Sequence, residues 1–447
     1  MEKSIFSKFD IRGKYPEELN ETVAYRLGLR LGEMVTSEQV VVGTDIRETS
    51  QKLVDPLAAG LEKSGKRVLF LEKVATEMVY YAVSVKKLNL GVQLTASHNP
   101  WDETGLKIVS TNALPFSCTD NLLKLEQLFQ KSTEEYGGEK PQNLTKINLA
   151  EGYAQFTIKL LPDLSKLSGK LLVISFGEAG GELAERFFAK TKVQTKIVVF
   201  DKKKLGDLPP NPMLAENQEL ALKQVNKSFD LVAMLDGDSD RVLFINPVRK
   251  EVVLGDLTAS LIAKYILENQ KGPIVFDLRK KMVMEKVAQE FAVPFYQTYA
   301  GYPFVKKEMI KRKAVFGGEL SGHLFYPKNN YCENSMLTIA LLLSYFGSHH
   351  LSFDQALVGC KDIFSMPEEN FDLSEIKDFD LNQLTKDLEE NLPNAKISQS
   401  DGMVVEGSDF YANIRLSQNE PLLRLNLEAK NKETLDLVYQ QIKDLLQ

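Results

Sequence analysis

Helical and strand-like segments alternate along the first third of the chain. The segment ETVAYRLGLRLGEMV has the apolar spacing of a helix, QVVVGTD is typical of a strand, and the alternation continues through RVLFLEKV to LGVQLTAS. This βαβ order constrains the fold strongly, because parallel strands need crossover helices that cover the faces of one sheet. It predicts a layered α/β domain whose ligand binds at loops beyond the strand ends.

The same alternation recurs twice, and the C-terminal part of the chain differs. KLLVISFGEAGGELAERFF and FDLVAMLDGDSDR predict a second α/β unit, and LGDLTASLIAKYILEN with GPIVFDL predicts a third. FYANIRLS and LLRLNLEAK are typical of paired strands, and the helix KETLDLVYQQIKDLLQ follows them. We therefore expect three similar α/β domains, at residues 1–146, 147–247 and 248–364, and an α+β domain at 365–447.

Composition narrows the class of protein. A chain of 447 residues exceeds the size of a single core, and 55 basic against 61 acidic residues without a basic block argue against nucleic-acid binding. Cys118, Cys332 and Cys360 fit no CxxC metal pattern and are expected to be reduced thiols. The sequence has neither a signal-peptide segment nor an apolar run of the roughly 20 residues that span a bilayer. We expect a cytoplasmic protein that binds no membrane.

The stretch TASHNP places Ser97 and His98 at the end of a strand-like run. Ser, Asn and Pro are common in turns, so a plain turn also accounts for it. A hydrolase nucleophile usually lies in G-x-S-x-G, which is absent here, and a histidine directly after the serine is poorly placed as a triad base. If Ser97 carries a reacting group, the chemistry is therefore not ordinary acyl transfer.

The stretch LDGDSDR alternates three carboxylates, Asp236, Asp238 and Asp240. In a tight loop this spacing directs oxygen atoms at one hard cation such as Mg²⁺. An EF-hand is excluded, because its sixth and twelfth positions would be Arg241 and Pro247. A solvated acidic loop is the alternative, but the apolar run LVAML leads directly into the stretch and disfavours it.

Two later stretches are weaker signals on their own. GGELSGH offers a carboxylate, a hydroxyl and an imidazole on a glycine-rich loop, which suits neighbouring sugar hydroxyls, although a plain turn explains it equally well. IRLSQNEPLLR supplies two arginines and several polar donors around a turn, which suits an anion, although a hairpin with surface arginines is the alternative.

Together these stretches resemble the α-D-phosphohexomutase superfamily. TASHNP is similar to its active-site serine loop, DGDSDR to its metal loop, GGELSGH to its sugar loop and RLSQNEPLLR to its phosphate loop, in the family's order and spacing. FDIRGKYP, VGTDIRETS and TGLKI also look like that family, so the resemblance covers essentially the whole chain. GGELSGH is nearest to the phosphomannomutase/phosphoglucomutase group. Asn419 stands where the family usually has threonine, and residues 329–336 lack its common Asp-Asp-Gly.

The resemblance implies reversible phosphoryl transfer between the 1- and 6-positions of mannose or glucose phosphates, through phosphoserine and a hexose 1,6-bisphosphate. It implies four domains around a central cleft, and we expect a monomer or homodimer. The implied site residues have four roles. They are catalytic (Ser97, Lys107, His98, Arg12), metal-binding (Ser97, Asp236, Asp238, Asp240), substrate-binding (Arg241, Arg279, Glu319, Ser321, His323) and phosphate-binding (Arg415, Ser417, Asn419, Arg424).

Three alternatives stay open. Within the family, the protein could be a phosphoglucosamine mutase, although Leu320 stands where those enzymes tend to carry glutamine. The second alternative is a non-catalytic sugar-phosphate sensor on the same fold. The presence of Ser97, the metal loop and Lys107 argues against it, because a sensor needs none of them. The third alternative is a metal-dependent phosphatase. The phosphate loop near the C-terminus argues against it, because hydrolysis does not require the enzyme to bind a bisphosphate again in a second orientation.

Overall fold

A computed structural model of the chain describes residues 4–360, 362–376, 379–417 and 421–446. The chain forms two compact units, one of residues 1–252 and 324–349 and the other of residues 253–323 and 350–447. The mixed α/β class with several sheets, expected from the sequence, is confirmed. Among the described residues, every helix is too short or too polar to cross a membrane.

The first unit begins with a six-stranded sheet in the order β1-β5-β4-β2-β3-β6. Strands β4, β2, β3 and β6 are parallel, whereas β5 runs antiparallel to both β1 and β4. Its elements are β1 (Ile11–Lys14), α1 (Glu21–Met34), β2 (Gln39–Thr44), α2 (Glu48–Lys52), α3 (Val54–Lys63), β3 (Arg67–Lys73), α4 (Thr76–Val85), β4 (Gly91–Leu94), β5 (Glu103–Val109), α5 (Asn121–Phe129) and β6 (Leu144–Lys146).

The apolar stripes of α1 and α3 pack on this sheet, which explains why both segments are helical. Leu27 of α1 and Leu57 of α3 lie in one buried cluster with Val42 of β2 and Leu94 of β4. The side chain of Asn20 accepts a hydrogen bond from a backbone N–H in the first turn and caps α1. The packing fixes β4, whose C-terminal end leads into the TASHNP stretch.

A second sheet in the first unit has the order β11-β10-β9-β7-β8. Strands β8, β7 and β9 are parallel, and β10 turns back antiparallel to β9. Its elements are α6 (Ala150–Leu160), β7 (Lys170–Ser175), α7 (Glu178–Phe188), β8 (Gln194–Val199), α8 (Lys202–Leu205), α9 (Ala215–Leu222), β9 (Leu231–Leu235), β10 (Val242–Asn246) and β11 (Glu251–Val253). The LDGDSDR stretch is the tight connection from β9 to β10.

The chain then enters the second unit with α10 (Gly255–Asn269), β12 (Ile274–Asp277), α11 (Met282–Glu290), β13 (Phe295–Thr298), α12 (Tyr302–Arg312) and β14 (Phe316–Gly318). Strand β12 is parallel to both β13 and β14. The chain returns to the first unit for β15 (Leu324–Tyr326), β16 (Cys332–Glu333) and the largely buried helix α13 (Ser335–His349).

The rest of the second unit is an antiparallel sheet covered by helices. Its strand order is β17-β22-β21-β20-β19, and β18 also pairs with β22. Apolar residues of α15 and α16 pack on the central strands. The elements are α14 (Phe353–Val358), β17 (Phe364–Ser365), β18 (Glu369–Asp372), α15 (Leu381–Asn391), β19 (Lys396–Ser400), β20 (Gly402–Glu406), β21 (Phe410–Leu416), β22 (Leu422–Ala429) and α16 (Lys432–Asp444).

The helices and strands predicted from hydrophobic spacing are present at the predicted places, including the antiparallel pair β21 and β22. The spacing did not predict the antiparallel strands β1 and β5 at the edge of the first sheet. The three cysteines have free thiols, as expected.

Candidate active site

Ser97 lies directly beyond β4 in an unusual backbone conformation. Its φ is +53°, in the left-handed region that costs a residue with a side chain about 1 kcal/mol or more. Its N–H donates to Thr95 Oγ1 over 2.8 Å, and Thr95 Oγ1 donates to Asp45 Oδ2 over 2.7 Å. The buried hydrogen bonds of this loop therefore hold the serine in the strained conformation.

Arg47 is a fully buried arginine that grips the backbone of the same loop. Its guanidinium donates to the carbonyls of Ser97 and Asn99, both over 2.7 Å, and to that of Pro100. Its Nε lies 3.2 Å from Asp45 Oδ2, so the charge is paired inside the protein. The sequence analysis assigned no role to Arg47 or Asp45, although both lie in the VGTDIRETS stretch.

Strand pairing brings two more cations to this loop. Arg12 on β1 is opposite Gly105 on β5, and Lys107 follows two residues later on the same face of the sheet. Arg12 Nη1 donates to the carbonyl of Ala96 over 2.6 Å, and Asp10 holds the same guanidinium at 2.8 and 2.9 Å. The antiparallel strands β1 and β5 therefore complete the surroundings of the serine loop.

The three aspartates of the β9–β10 connection converge, as the spacing predicted. Asp236, Asp238 and Asp240 are buried, and each offers a carboxylate oxygen within 4.8 Å of the others. The Oγ of Ser97 donates to Asp236 Oδ2 over 2.9 Å, which brings serine and carboxylates into one cluster. Burial, reinforced by the two neighbouring carboxylates, raises the pKa of Asp236 to about 7.

Lys107 is the counter-ion of this carboxylate cluster. Its Nζ lies 2.6 Å from Asp238 Oδ2 and also contacts Asp240. Burial alone would lower the pKa of Lys107, but the two carboxylates outweigh it and hold that pKa above its ordinary value. Burial likewise acts to raise the pKa of Asp238, and Lys107 holds it below the usual range. The lysine is therefore protonated in this arrangement.

The cluster has the ligands of a hard cation. Asp238 Oδ1 is buried and accepts no hydrogen bond from the described residues, so a buried acceptor of this cluster lacks a donor. Three carboxylates and a hydroxyl are oxygen ligands of the kind that Mg²⁺ prefers. The residues present fit a magnesium ion.

Thr76, at the start of α4, also holds the metal loop in place. Its N–H donates to the carbonyl of Asp238 over 3.0 Å, and its hydroxyl donates to Asp238 Oδ2 over 2.6 Å. The amino-terminal end of a helix also favours nearby negative charge. No motif in the sequence pointed to this residue.

The serine loop and the metal loop are in close backbone contact. A Cβ at Gly237 would lie 2.6 Å from the carbonyl oxygen of Ser97, so only glycine permits this approach. Trp101 adds a second connection, because its indole N–H donates to the carbonyl of Leu208 over 2.7 Å and its ring packs against the core of the second sheet.

Two further predicted residues lie at the edge of the cluster. The Nδ1 of His98 is 3.1 Å from Ser97 Oγ. The Nε of Arg241 is 3.8 Å from Asp236 Oδ2, and its backbone N–H donates to the other oxygen of that carboxylate over 3.3 Å. The first unit thus brings together Ser97 and all the predicted residues that belong to it.

In the second unit, Asp277 at the end of β12 organises the predicted sugar loop. It accepts hydrogen bonds from the guanidinium of Arg279 at 2.9 and 2.7 Å and from the backbone N–H of Leu320 at 2.8 Å. Although burial acts to raise the pKa of Asp277, Arg279 holds it below its ordinary value. This aspartate, which the sequence analysis missed, joins Arg279 to the GGELSGH loop.

The GGELSGH loop is a tight turn with three buried polar side chains. The N–H of Glu319 donates to the carbonyl of His323 over 2.9 Å, and Ser321 lies at the turn. One oxygen of Glu319 accepts from the N–H of Gly301 over 2.6 Å and lies 3.6 Å from Arg279. Burial raises the pKa of Glu319, and the positive groups beside it oppose that shift.

The two predicted phosphate-binding arginines contact a carboxylate that the sequence analysis did not identify. Arg415 and Arg424 are directly paired across β21 and β22, and they lie 3.4 and 3.3 Å from the two oxygens of Glu368. Arg424 also lies 3.3 Å from the hydroxyl of Ser417. Asn419 is outside the described residues, so its predicted role stays a prediction.

Comparisons with known proteins show the family to which the chain belongs. The family model for phosphoglucomutase/phosphomannomutase, α/β/α domain I, matches residues 3–136 of the sequence. The family model for domain III matches residues 254–360. A protein named phosphohexose mutases from Xanthomonas campestris pv. campestris is 30% identical, and the alignment covers 99% of this chain and 98% of the relative. The chain belongs to the phosphoglucomutase/phosphomannomutase family. It is a phosphohexomutase, an enzyme that acts on hexose phosphates.

Other members of the family are similar over their whole length. Phosphomannomutase from Methanocaldococcus jannaschii is 29% identical, with 99% of this chain and 97% of the relative covered. A phosphoglucomutase/phosphomannomutase family protein from Burkholderia thailandensis has a solved structure with a TM-score of 0.84, 23% identity, and coverage of 99% of this chain and 96% of that one. At that identity the structural likeness establishes the shared fold of this phosphohexomutase.

Proposed function

We propose that this phosphohexomutase interconverts hexose 1- and 6-phosphates through phosphoserine at Ser97 and a hexose 1,6-bisphosphate. The observation that carries the proposal is the 2.9 Å contact between Ser97 Oγ and Asp236 in a buried cluster of three carboxylates. A serine has little reason to lie there unless its oxygen shares a cation with them.

In the first half of the proposed cycle, the phosphoryl group passes from Ser97 to the free hydroxyl of a hexose monophosphate. The bond from phosphorus to Ser97 Oγ breaks, a bond to the sugar oxygen forms, and the proton of the sugar hydroxyl passes to the freed Oγ of Ser97. The second half reverses these events at the other end of the sugar and restores phosphoserine. Mg²⁺ held by Asp236, Asp238, Asp240 and Ser97 supplies neutralisation of the charge on the transferred group.

Lys107 is our candidate for the proton transfer, with His98 beside the serine as an assisting group. The raised pKa of Lys107 means that it is protonated in the arrangement described. A protonated lysine is the form needed when the phosphoryl group returns to Ser97, because the sugar oxygen then takes up a proton. Arg12 fixes the loop, and Arg241 is proposed to contact the phosphoryl group.

The residues of the second unit are proposed to bind the rest of the substrate. Glu319, Ser321 and His323 are assigned to the sugar hydroxyls, and Arg279 to the same part of the site. The non-reacting phosphate is assigned to Arg415, Ser417, Asn419 and Arg424, because paired guanidinium groups suit a phosphate dianion.

We propose mannose and glucose phosphates as substrates. The two sugars differ only at C2, and Glu319 and Ser321 are expected to bind hydroxyls that both share. Strong discrimination requires a buried polar group dedicated to C2, which the loop does not offer. The values of kcat/KM for mannose 1-phosphate and glucose 1-phosphate should agree within roughly two orders of magnitude. A preference for a glucosamine phosphate would assign the protein to that branch instead.

The remaining predictions concern the protein as a whole. We propose four domains with the boundaries given above, a cytoplasmic location, and a monomeric or homodimeric state. The first boundary follows β6, the last strand of the first sheet along the chain. The second lies between β10 and β11, a few residues before the second sheet ends at Val253. Limited proteolysis and light scattering test the boundaries and the oligomeric state.

The proposed function is tested with glucose 1-phosphate and traces of glucose 1,6-bisphosphate, while glucose 6-phosphate and free phosphate are measured together. The mutase produces the 6-phosphate without free phosphate, a phosphatase releases phosphate, and a sensor produces neither. Peptide mapping should find phosphoserine at Ser97. Ser97→Ala should lose nearly all turnover while staying folded, and Ser64→Ala on the distant α3 cap serves as the matched control. Wild-type turnover in Ser97→Ala would rule out the phosphoserine mechanism.

A further inference from the structure

Glu368 lies between two arginines that strand pairing forces together. Arg415 on β21 and Arg424 on β22 are directly opposite in the antiparallel register. Like charges in that position repel each other and destabilise the pair. Glu368, which immediately precedes β18, faces both guanidinium groups and is the carboxylate that offsets the repulsion.

The contacts of Glu368 are unequal. Asn426 donates to Oε2 over 2.9 Å, which is an ordinary hydrogen bond. The two arginines lie at 3.4 and 3.3 Å, longer than the roughly 2.7–2.9 Å of charge-assisted pairs. Asn426 therefore holds the carboxylate in place, and the arginines do not engage it at full strength.

Arg415 retains a donor for another anion. The Nε of Arg415 is buried and has no hydrogen-bond partner among the described residues. Arg279 also acts electrostatically on Arg415 and Glu368, but its own charge is matched by Asp277 in a bidentate pair. Arg415 and Arg424 thus both contact the carboxylate of Glu368, and Arg415 keeps one donor for a further acceptor.

We propose that Glu368 is a positioning residue that serves as the built-in counter-ion of the phosphate-binding arginines. While no phosphate is bound, it keeps Arg415 and Arg424 in place despite their repulsion. When a phosphate binds, Glu368 competes with it for the same guanidinium groups and so weakens phosphate binding. The inference rests on the proposed function, because it takes these arginines as the site of the non-reacting phosphate.

Weaker phosphate binding suits the proposed mutase cycle. One phosphate of the bisphosphate has to dissociate from the arginines before its other phosphate can bind to them. A site without the competing carboxylate of Glu368 would bind the phosphate more tightly and release it more slowly. Binding that is equally strong in the ground state and the transition state lowers KM without raising kcat.

The test replaces Glu368 by its neutral isostere. Glu368→Gln should bind inorganic phosphate roughly tenfold more tightly by calorimetry, the scale of one charged interaction. Its KM should fall, and its kcat should fall or stay the same. The affinity gained should disappear in the double variant Glu368→Gln, Arg415→Met, which assigns it to this cluster. Glu369→Gln is the matched control, since that neighbouring carboxylate faces Tyr439 and should leave phosphate binding unchanged.

Stability in phosphate supplies a second readout that a structural role alone would not produce. Without phosphate, loss of the Glu368 charge leaves more of the repulsion between the two arginines and should lower the melting temperature of Glu368→Gln. Added phosphate should raise it by more than in the wild type, and should refold the variant if it is unfolded. A variant that phosphate does not stabilise more than the wild type overturns the inference.

The outcome separates this inference from the proposed function. If the wild type is an active mutase but Glu368→Gln binds phosphate no more tightly, the counter-ion role is wrong and the mutase mechanism stands. If the variant gains phosphate affinity but the wild type does not isomerise sugar phosphates, the counter-ion role stands and the proposed function fails.

Discussion

A single methyl group at Gly237 should separate the serine loop from the metal loop. An added Cβ lies 2.6 Å from the carbonyl oxygen of Ser97 and 2.8 Å from Cγ of Pro210, whereas ordinary contact begins at 3.4 Å. Neither neighbour can yield easily. Arg47 holds the Ser97 carbonyl over 2.7 Å, and the N–H of Gly237 donates to the Pro210 carbonyl over 3.1 Å. Gly237→Ala therefore has to move the two loops apart by about 0.8 Å.

That displacement lengthens the 2.9 Å distance between Ser97 Oγ and Asp236, and so changes the position of the serine relative to the proposed metal site. A misplacement of about 1 Å can cost roughly 100-fold in rate, which corresponds to about 2.7 kcal/mol in activation free energy. Overpacking itself costs about 1–3 kcal/mol of stability. We therefore expect a folded enzyme whose kcat falls roughly 100-fold. Its affinity for Mg²⁺ should fall much less than its kcat, because the three aspartates move with their own loop and only Ser97 among the proposed ligands is displaced.

The assay is the coupled conversion of glucose 1-phosphate to glucose 6-phosphate at saturating Mg²⁺, with metal affinity measured by calorimetry. Gly359→Ala is the matched control, since its Cβ would have ordinary contact at 3.7 Å, and its kcat should equal that of the wild type. If folded Gly237→Ala turns over within about threefold of the wild type, the close approach of the loops is not needed for catalysis and the reasoning is refuted.

Three further predictions follow from buried charges in the first unit. Arg47→Met should lower the free energy of unfolding in urea by about 3–5 kcal/mol, because Asp45 is left as an unpaired buried charge, and an unchanged urea midpoint would contradict this. Asp238→Asn should lose Mg²⁺ binding and turnover with the circular dichroism spectrum retained, and full wild-type turnover in metal-free buffer would exclude the site. Buried Glu77, which accepts two hydrogen bonds from Ser335, has a pKa raised from 4.5 to about 8 by burial. Because the folded state holds this proton more tightly, stability should fall as pH rises from about 5 to about 8. Glu77→Gln should reduce this loss in thermal melts, and equal slopes for both proteins would show that Glu77 is not responsible.

The sequence by itself determined the elements and the loops that carry the chemistry. Hydrophobic spacing located the helices, the parallel strands and the pair β21 and β22, because burial of one face imposes a local period. The alternating carboxylates Asp236, Asp238 and Asp240 converge because residues so close in one tight loop cannot lie far apart. The resemblance to the phosphohexomutases added the proposed roles of Ser97 and Lys107, which local patterns alone do not predict.

Only the tertiary structure decided which side chains hold these loops. Arg47 contacts carbonyls about fifty residues away, Thr76 reaches Asp238 across 162 positions, and Glu368 meets Arg424 across 56. Arg47 lies in the VGTDIRETS stretch and Glu368 in none of the quoted stretches, and neither has partners that a local pattern predicts, since a single buried charge has no period. Their partners are set by strand register and by the packing of one sheet against another. Those interactions depend on contacts between distant segments, and they exist only once the chain has folded.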